Sequence, residues 1–133
     1  MSRHCTFRVL IGLTLAFCAI ASFGATPKEA VGFWGTVTGK VKSAKPDGTS
    51  FVLTVSDAQP EEKSKVKDGA PMVGKDLTLG TRMPRKDGKP YNSEEDVAYI
   101  KTLKPGMMIT VKIFSVISAP TVQRIQGPGT PAN

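Results

Sequence analysis

The chain has 133 residues, with 18 Lys and Arg against 11 Asp and Glu, so its net charge at neutral pH is +7. Its two cysteines and its single histidine are Cys5, Cys18 and His4, all close to the N-terminus. If that segment is removed, the remaining chain has no disulfide, no thiolate nucleophile, no Cys/His zinc site and no Ser-His-Asp triad.

The N-terminal segment is predicted to be a secretory signal peptide. Arg3 and Arg8 flank the start of an uncharged apolar run, residues 9–21, which is followed by small residues. The run is shorter than the roughly 20 apolar residues that a membrane-spanning helix needs. Small residues favour cleavage after Gly24, with Ala21 as the alternative. We therefore predict a signal peptide over residues 1–24 and an exported periplasmic or extracellular product with no stable membrane insertion.

The predicted mature chain keeps a moderate positive charge. Loss of Arg3 and Arg8 leaves 16 basic against 11 acidic residues, a net charge of +5. Such an excess favours polyanionic partners, although evenly spread charges are also what a solvated basic surface needs. At this length the mature chain can build one hydrophobic core.

A hairpin is predicted to follow a lead segment, residues 25–32. Residues 33–42 alternate, with Phe33, Val37 and Val41 inward beside two glycines, and residues 50–56 resume the alternation. The glycines Gly35 and Gly39 predict a strand that coils or lets another backbone approach closely. Pro46, Asp47 and Gly48 supply the turn.

The middle of the chain mixes loop and strand signals. Residues 57–75 lose the periodicity and are predicted as a long mobile loop, and residues 76–82 as a third strand with Leu77 and Leu79 on one face. A basic turn around Asp87 and Gly88 indicates a small hairpin tip.

One short helix is predicted next, with Asn92 or Ser93 as its N-cap. The first turn is acidic, and Ser93 and Asp96 have capping-box spacing. Its apolar stripe is Val97, Ile100 and Leu103, and Pro105 with Gly106 ends it.

Two strands complete the predicted fold. Met107 alternates with the apolar residues of a fourth strand and is interpreted as core filler. Phe114 and Val116 reverse the face, which predicts a β-bulge near Phe114. Ala119 and Pro120 are predicted to turn the chain into a last strand, residues 121–126, before a flexible tail, residues 127–133.

Five strands with one helix between the third and the fourth predict a mainly β fold, a small OB-like barrel over residues 33–126. The predicted core consists of Val37, Val41, Phe51, Leu53, Val55, Leu77, Leu79, Ile100, Leu103, Ile109, Val111 and Ile113, with Trp34, Thr36, Lys40 and Lys42 facing away from it.

Several short motifs within residues 35–125 are similar to those of a known class of domains. With Gly35-Thr36-Val37, the Asp47-Gly48 turn, and Leu103-Lys104-Pro105-Gly106 leading into the fourth strand, the chain resembles the small secreted bacterial OB-like domains. The resemblance implies the fold and the compartment.

The candidate ligand-binding residues are aromatic and basic. Trp34 lies on the polar face of the first strand, where it can stack a base or a sugar ring, or cover a barrel end or pack under the loop of residues 57–75. Arg82, Arg85, Lys86 and Lys89 form the densest basic cluster, next to Tyr91, and with Lys40 and Lys42 can line a groove for phosphate or carboxylate groups.

The sequence gives less support for metal binding and for acid/base catalysis. The chain resembles the OB barrels of copper and silver efflux systems in having Met72, Met83, Met107, Met108 and Trp34, but it lacks the histidine that completes their metal site. Neither acidic pair, Glu61-Glu62 nor the helix start, predicts a divided acid/base pair, so no catalytic residue, metal or cofactor is expected.

The sequence therefore predicts an exported, non-catalytic OB-like binding or structural module, whose partner is an envelope protein or a polyanion. Binding of a polyanion, single-stranded nucleic acid or oligosaccharide is the alternative, and a soft-metal carrier a third.

Overall fold

The computed structural model describes residues 26–132, so the predicted signal peptide lies outside the described residues. Within this range the elements are η1(Lys28–Ala30), β1(Trp34–Ala44), β2(Ser50–Pro60), η2(Ala70–Met72), β3(Asp76–Gly80), β4(Arg85–Lys86), β5(Lys89–Pro90), α1(Glu94–Lys101), β6(Met108–Val116), β7(Ala119–Ile125) and β8(Thr130–Pro131).

Five of the strands close a barrel. β1 pairs antiparallel with both β2 and β6, β2 pairs with β3, and β6 pairs with β7. β3 and β7 meet in parallel at Gly80 and Arg124, which completes the ring. The strand order and the position of α1 between the third and fourth barrel strands confirm the predicted OB-like barrel.

One hydrophobic core fills the barrel. Every predicted core residue belongs to it, and Ala30, Phe33, Ala58, Met72 and Ile125 complete it. The outward placement predicted for Trp34, Thr36, Lys40 and Lys42 is also confirmed, because β1 alternates between buried and more exposed residues.

The glycines of β1 permit close strand contact, as predicted. A methyl group on Gly39 would overlap the carbonyl oxygen of Thr54 in β2, and one on Gly35 would overlap that of Gln59. The β1–β2 register shifts between Thr38 and Gly39, so the strand coils at this point.

β2 continues further than predicted. Residues 57–60, expected to begin the mobile loop, pair with the first residues of β1 and bury Ala58. Their polar side chains obscured the strand because most of them face outwards. Later in the same predicted loop, η2 inserts the fully buried Met72 into the core.

The predicted face reversal in β6 is wrong. Ile113 and Ser115 point inwards while Phe114 and Val116 face out, so the alternation continues to the end of the strand. On the β1 side the register is unbroken from Trp34 opposite Phe114 to Lys40 opposite Met108. On the β7 side the register does shift between Ser115 and Val116, close to the predicted position, but this irregularity leaves the alternation of faces unchanged. The outward apolar residues Phe114 and Val116 form an apolar patch outside the barrel.

The connections at the C-terminal end also differ from the prediction. Ile117 and Ser118 form the β6–β7 turn, and β7 already begins at Ala119. Residues 127–133 were predicted as a flexible tail, but their described part contains β8, which pairs with Ile109 and Thr110 of β6. Pairing is possible because the outer edge of β6 at these residues is free to accept a short strand.

Met107 is exposed and not core filler. Its sulfur accepts a hydrogen bond from the backbone N–H of Lys104 at 3.1 Å, in the turn that follows α1. The core residue at this end of the strand is Ile109, two positions later.

Candidate functional site

An aromatic pair lies on the outer face of the barrel. Trp34 in β1 is directly opposite Phe114 in β6, and Phe114 is opposite Arg124 in β7. The two rings are 5.4 Å apart between centroids and tilted by 38°. Both face outwards because the intervening positions, such as Gly35 and Ile113, are buried.

The loop after β2 is fastened around Trp34. The backbone N–H of Trp34 donates to Ser64 Oγ at 3.1 Å, and the backbone N–H of Glu61 donates to the Trp34 carbonyl at 2.8 Å. The Lys63 ammonium lies 4.4 Å from the centroid of the indole ring, at cation–π distance. Of the two roles open to Trp34, the structure therefore shows packing against the loop, and a ligand that stacks on this face of the ring must displace Lys63.

A groove of about 380 Å³ lies beside the indole. We call it the Trp34 groove; its lining residues are Gly32, Trp34, Lys63, Lys65, Ser115, Val116, Ile117 and Pro120. Its volume falls in the range of about 300–1,000 Å³ typical of small-molecule sites. Ile117 at its rim is 87% exposed.

A buried polar cluster supports the groove from below. Ser115 Oγ accepts a hydrogen bond from the Gly32 N–H at 3.1 Å, and Gln123 Nε2 donates to the Ala30 carbonyl at 2.7 Å. These bonds hold the lead segment against β6 and β7. Gln123 Oε1 and Trp34 Nε1 are buried and have no hydrogen-bond partner within residues 26–132.

Arg82 is a structural residue in this fold. Its Nε and Nη2 donate to the two carboxylate oxygens of Asp96 at 2.9 and 2.8 Å, and its backbone N–H donates to the same carboxylate. Asp96 is fully buried, and its hydrogen bonds raise the pKa of Arg82 above its usual value. This use of Asp96 replaces the predicted capping box, since Ser93, the N-cap residue, makes no side-chain capping bond to the described chain.

The remaining basic residues of the predicted cluster sit on a small hairpin. Asp87 and Gly88, with φ of 53° and 77°, form the turn between β4 and β5, as expected for a type I′ turn. Arg85, Lys86 and Lys89 are exposed there, and none of them forms an ion pair with residues 26–132. Tyr91 follows them, also exposed.

Lys40 and Lys42 are not part of one groove with Arg82. Lys42 pairs with Asp76 at 2.7 Å at the start of β3, whereas Arg82 follows the end of that strand. At about 3.3 Å per residue, β3 separates the two sites by more than ~13 Å. Lys40 is exposed on β1, opposite Met108.

The methionines do not converge on one point. Met72 is buried in the core, while Met107 and Met108 lie at the start of β6. Met83 follows β3, where its sulfur is 3.8 Å from Thr81 Oγ1. Within the described range there is also no group of three or more His, Cys, Asp or Glu that could hold a metal ion.

Sequence analysis missed several residues of the Trp34 groove. Lys63 and Lys65 were assigned to a mobile loop, and Val116 to a reversed strand face. No direct signal in the sequence indicated Ile117, because the turn was predicted at Ala119 and Pro120 and the structure places it at Ile117 and Ser118.

Comparison with known proteins found no match among family models, curated proteins or solved structures. Within residues 26–132, no helix is long and apolar enough to cross a bilayer.

Proposed function

We propose that this chain is a non-catalytic binding module of the bacterial envelope, one of the small exported OB-like domains, and that it receives its ligand on the outer barrel face around Trp34. The observation that carries the proposal is the Trp34 groove, an opening of about 380 Å³ with an aromatic wall and lysines at its rim. The barrel strands β1 and β6 supply the Trp34 and Val116 walls, so most of the groove exists before the ligand arrives and only Lys63 has to move.

The residue content supports a non-catalytic role. After residue 24 the chain has neither histidine nor cysteine, the commonest general base and the strongest nucleophile among side chains. Asp96, the one fully buried carboxylate within residues 26–132, is bound by Arg82. Binding without chemistry is the simplest use of such a site.

Two-dimensional amide NMR tests this proposal without knowledge of the ligand. A panel would contain single-stranded DNA, a heparin fragment, a neutral oligosaccharide, a fatty acid and a dipeptide. We expect one class to shift the amide signals of Gly32, Trp34 and Ser115, which line the groove, and to leave Lys101 at the end of α1 unchanged. Shifts confined to other surfaces would contradict the proposal.

Polyanion binding is a second candidate, favoured by the β4–β5 hairpin. Arg85, Lys86 and Lys89 project there without ion pairs to described residues, so their charge is available to phosphate or sulfate groups. Such binding must weaken steeply as salt rises, because neutralised phosphates release counterions.

The test is retention on heparin or single-stranded DNA. We expect the triple variant Arg85→Ala, Lys86→Ala, Lys89→Ala to elute at lower salt than the parent. The matched triple variant Lys101→Ala, Lys104→Ala, Lys112→Ala, which removes three exposed cations elsewhere, should elute closer to the parent. Failure of the parent protein to be retained at low salt would eliminate this candidate.

A further inference from the structure

We infer that the Trp34 groove binds a small amphipathic anion, an acyl chain or aromatic ring that carries one carboxylate. This inference rests on the proposed function, because it names the ligand class for the same face. It follows from the distribution of apolar surface and charge around the groove.

The walls of the groove are apolar. Trp34, Val116, Ile117 and Pro120 line it, and Ile117 is 87% exposed. An apolar ligand body that covers Ile117 removes this surface from water, which is the main driving force for association of apolar groups. A hydrated polyanion would leave the same surface exposed or place charged oxygens against it.

The charge at the rim has one sign. Lys63 and Lys65 are lining residues, and no acidic residue lines the groove in the described part of the chain. The stem of Lys65 lies close to Gly32, its Cβ 3.1 Å from the position that a methyl group there would take. Long lysine stems lie along apolar surface with their ammonium groups in water, where they can meet an anionic head group.

Movement of Lys63 couples the binding of the head group to the binding of the apolar body. Its ammonium now covers the indole at 4.4 Å from the ring centroid. A carboxylate at the rim attracts this ammonium more strongly than the ring does, because a full charge replaces a quadrupole. Withdrawal of Lys63 would free the indole face for the apolar body, so head group and body bind together.

Three probes of equal chain length separate the contributions of charge and apolar body: decanoate and decyltrimethylammonium below their micelle concentrations, and decanol below its solubility limit. Trp34 is the only tryptophan, so its fluorescence reports the groove. We expect decanoate to change the emission and to bind at least tenfold more tightly than decanol or the cation. Acetate, which lacks the apolar body, should not bind.

Variants of exposed residues keep the test independent of folding. Ile117→Ser should weaken decanoate binding at least fivefold, whereas Val122→Ser, a matched change at an exposed β7 residue outside the groove, should not. The double variant Lys63→Gln, Lys65→Gln should reduce the preference for decanoate over decanol, and Lys67→Gln on the same loop should leave it unchanged.

Several outcomes would overturn the inference. Equal affinity for decanoate and decanol would remove the role of charge, and binding only to phosphatidylglycerol vesicles would indicate a membrane surface. If a heparin fragment or single-stranded DNA shifts the groove signals and decanoate does not, the ligand class is wrong while the proposed function stands. If no probe of either panel affects the groove, both fail.

Discussion

Gly39 in β1 is a residue at which the barrel has no room for a side chain. A methyl group there would overlap the Thr54 carbonyl, part of the β2 backbone, which cannot rotate away. At Gly80 the nearest atom to such a methyl is 3.7 Å away, an ordinary contact. We therefore expect Gly39→Ala to destabilise the protein by about 1–3 kcal/mol or more, as overpacking does.

Gly80→Ala is the matched control and should change the free energy of unfolding by less than about 0.5 kcal/mol. Chemical denaturation of both variants measures the difference. Equal stability of the two would show that β1 and β2 are further apart than the structure has them.

Asp76 makes stability depend on acidity. Burial raises the pKa of its carboxyl group. Hydrogen bonds from Lys42 and Thr54, both 2.7 Å long, together lower this pKa by more than burial raises it, so the net pKa lies below its ordinary value of 3.8. The folded state therefore holds this proton less readily than the unfolded state. The stabilisation is present above pH 3.8 and is lost as the pH falls through the folded-state pKa.

We expect Asp76→Asn to flatten the loss of stability below pH 4, in thermal unfolding followed from neutral pH to pH 2. The effect should stay below about 1 kcal/mol, because both partners are partly exposed. Lys42→Ala should act in the same direction. Lys40→Ala should not, because Lys40, on the same face of β1, forms no ion pair with residues 26–132. An unchanged acid slope in Asp76→Asn would contradict this assignment.

The start of α1 is held to the barrel by the side chains of Arg82 and Asp96 and not by the side chain of its N-cap, Ser93, whose backbone N–H donates to the Arg82 carbonyl. The Asp96 carboxylate is fully buried and accepts three hydrogen bonds from Arg82, whereas Ser93 makes no side-chain capping bond to a described residue. Arg82→Ala would leave a buried charge without its partner, so we expect a loss of about 3 kcal/mol or more.

Ser93→Ala should lower stability by less than about 0.5 kcal/mol, below the roughly 1 kcal/mol of a working N-cap. Melting temperatures of the two variants decide between the two anchors. A larger effect of Ser93→Ala would restore the capping box that the sequence spacing predicts.

The elements show which features a sequence can predict. Period-two alternation located β1, the first part of β2 and β6, because inward residues such as Val37 and Ile109 must be apolar whatever the rest of the fold does. The end of β2 was missed because its outward residues are polar and Pro60 ends it. The pairing of Arg82 with Asp96 was missed because it joins positions that are neighbours only after folding.

The site was harder to predict than the fold for the same reason. Trp34 was found because it stands alone on a polar face, but the groove beside it needs three separate segments. Lys63 comes from the loop after β2, Gly32 from the lead segment and Ile117 from the β6–β7 turn. No periodicity within one segment indicates how such segments meet.

The lead segment fastens β7, the strand that closes the barrel against β3. β3 and β7 share a single residue pair, Gly80 with Arg124, and the lead segment adds further contacts to β7. Thr26 Oγ1 donates to the Thr121 carbonyl, and Gln123 donates to the Ala30 carbonyl. Ala30 and Phe33 are fully buried in the core.

The hydrogen bonds between the lead segment and β7 limit where a stable mature chain can begin. If the chain is exported as we propose, mass spectrometry should show a mature N-terminus near Ala25, just before Thr26, whose side chain bonds to Thr121. A chain that begins at Ala25 should unfold cooperatively with the melting temperature of the exported protein, whereas one that begins at Trp34 loses Ala30 and Phe33 from the core. Removal of one large buried aromatic side chain alone typically lowers stability by about 3–5 kcal/mol, a large part of the 5–15 kcal/mol of a small domain. A chain from Trp34 that melts at the same temperature would show that the barrel closes without its lead segment, and a product that retains Met1 would show that the N-terminal segment is not cleaved.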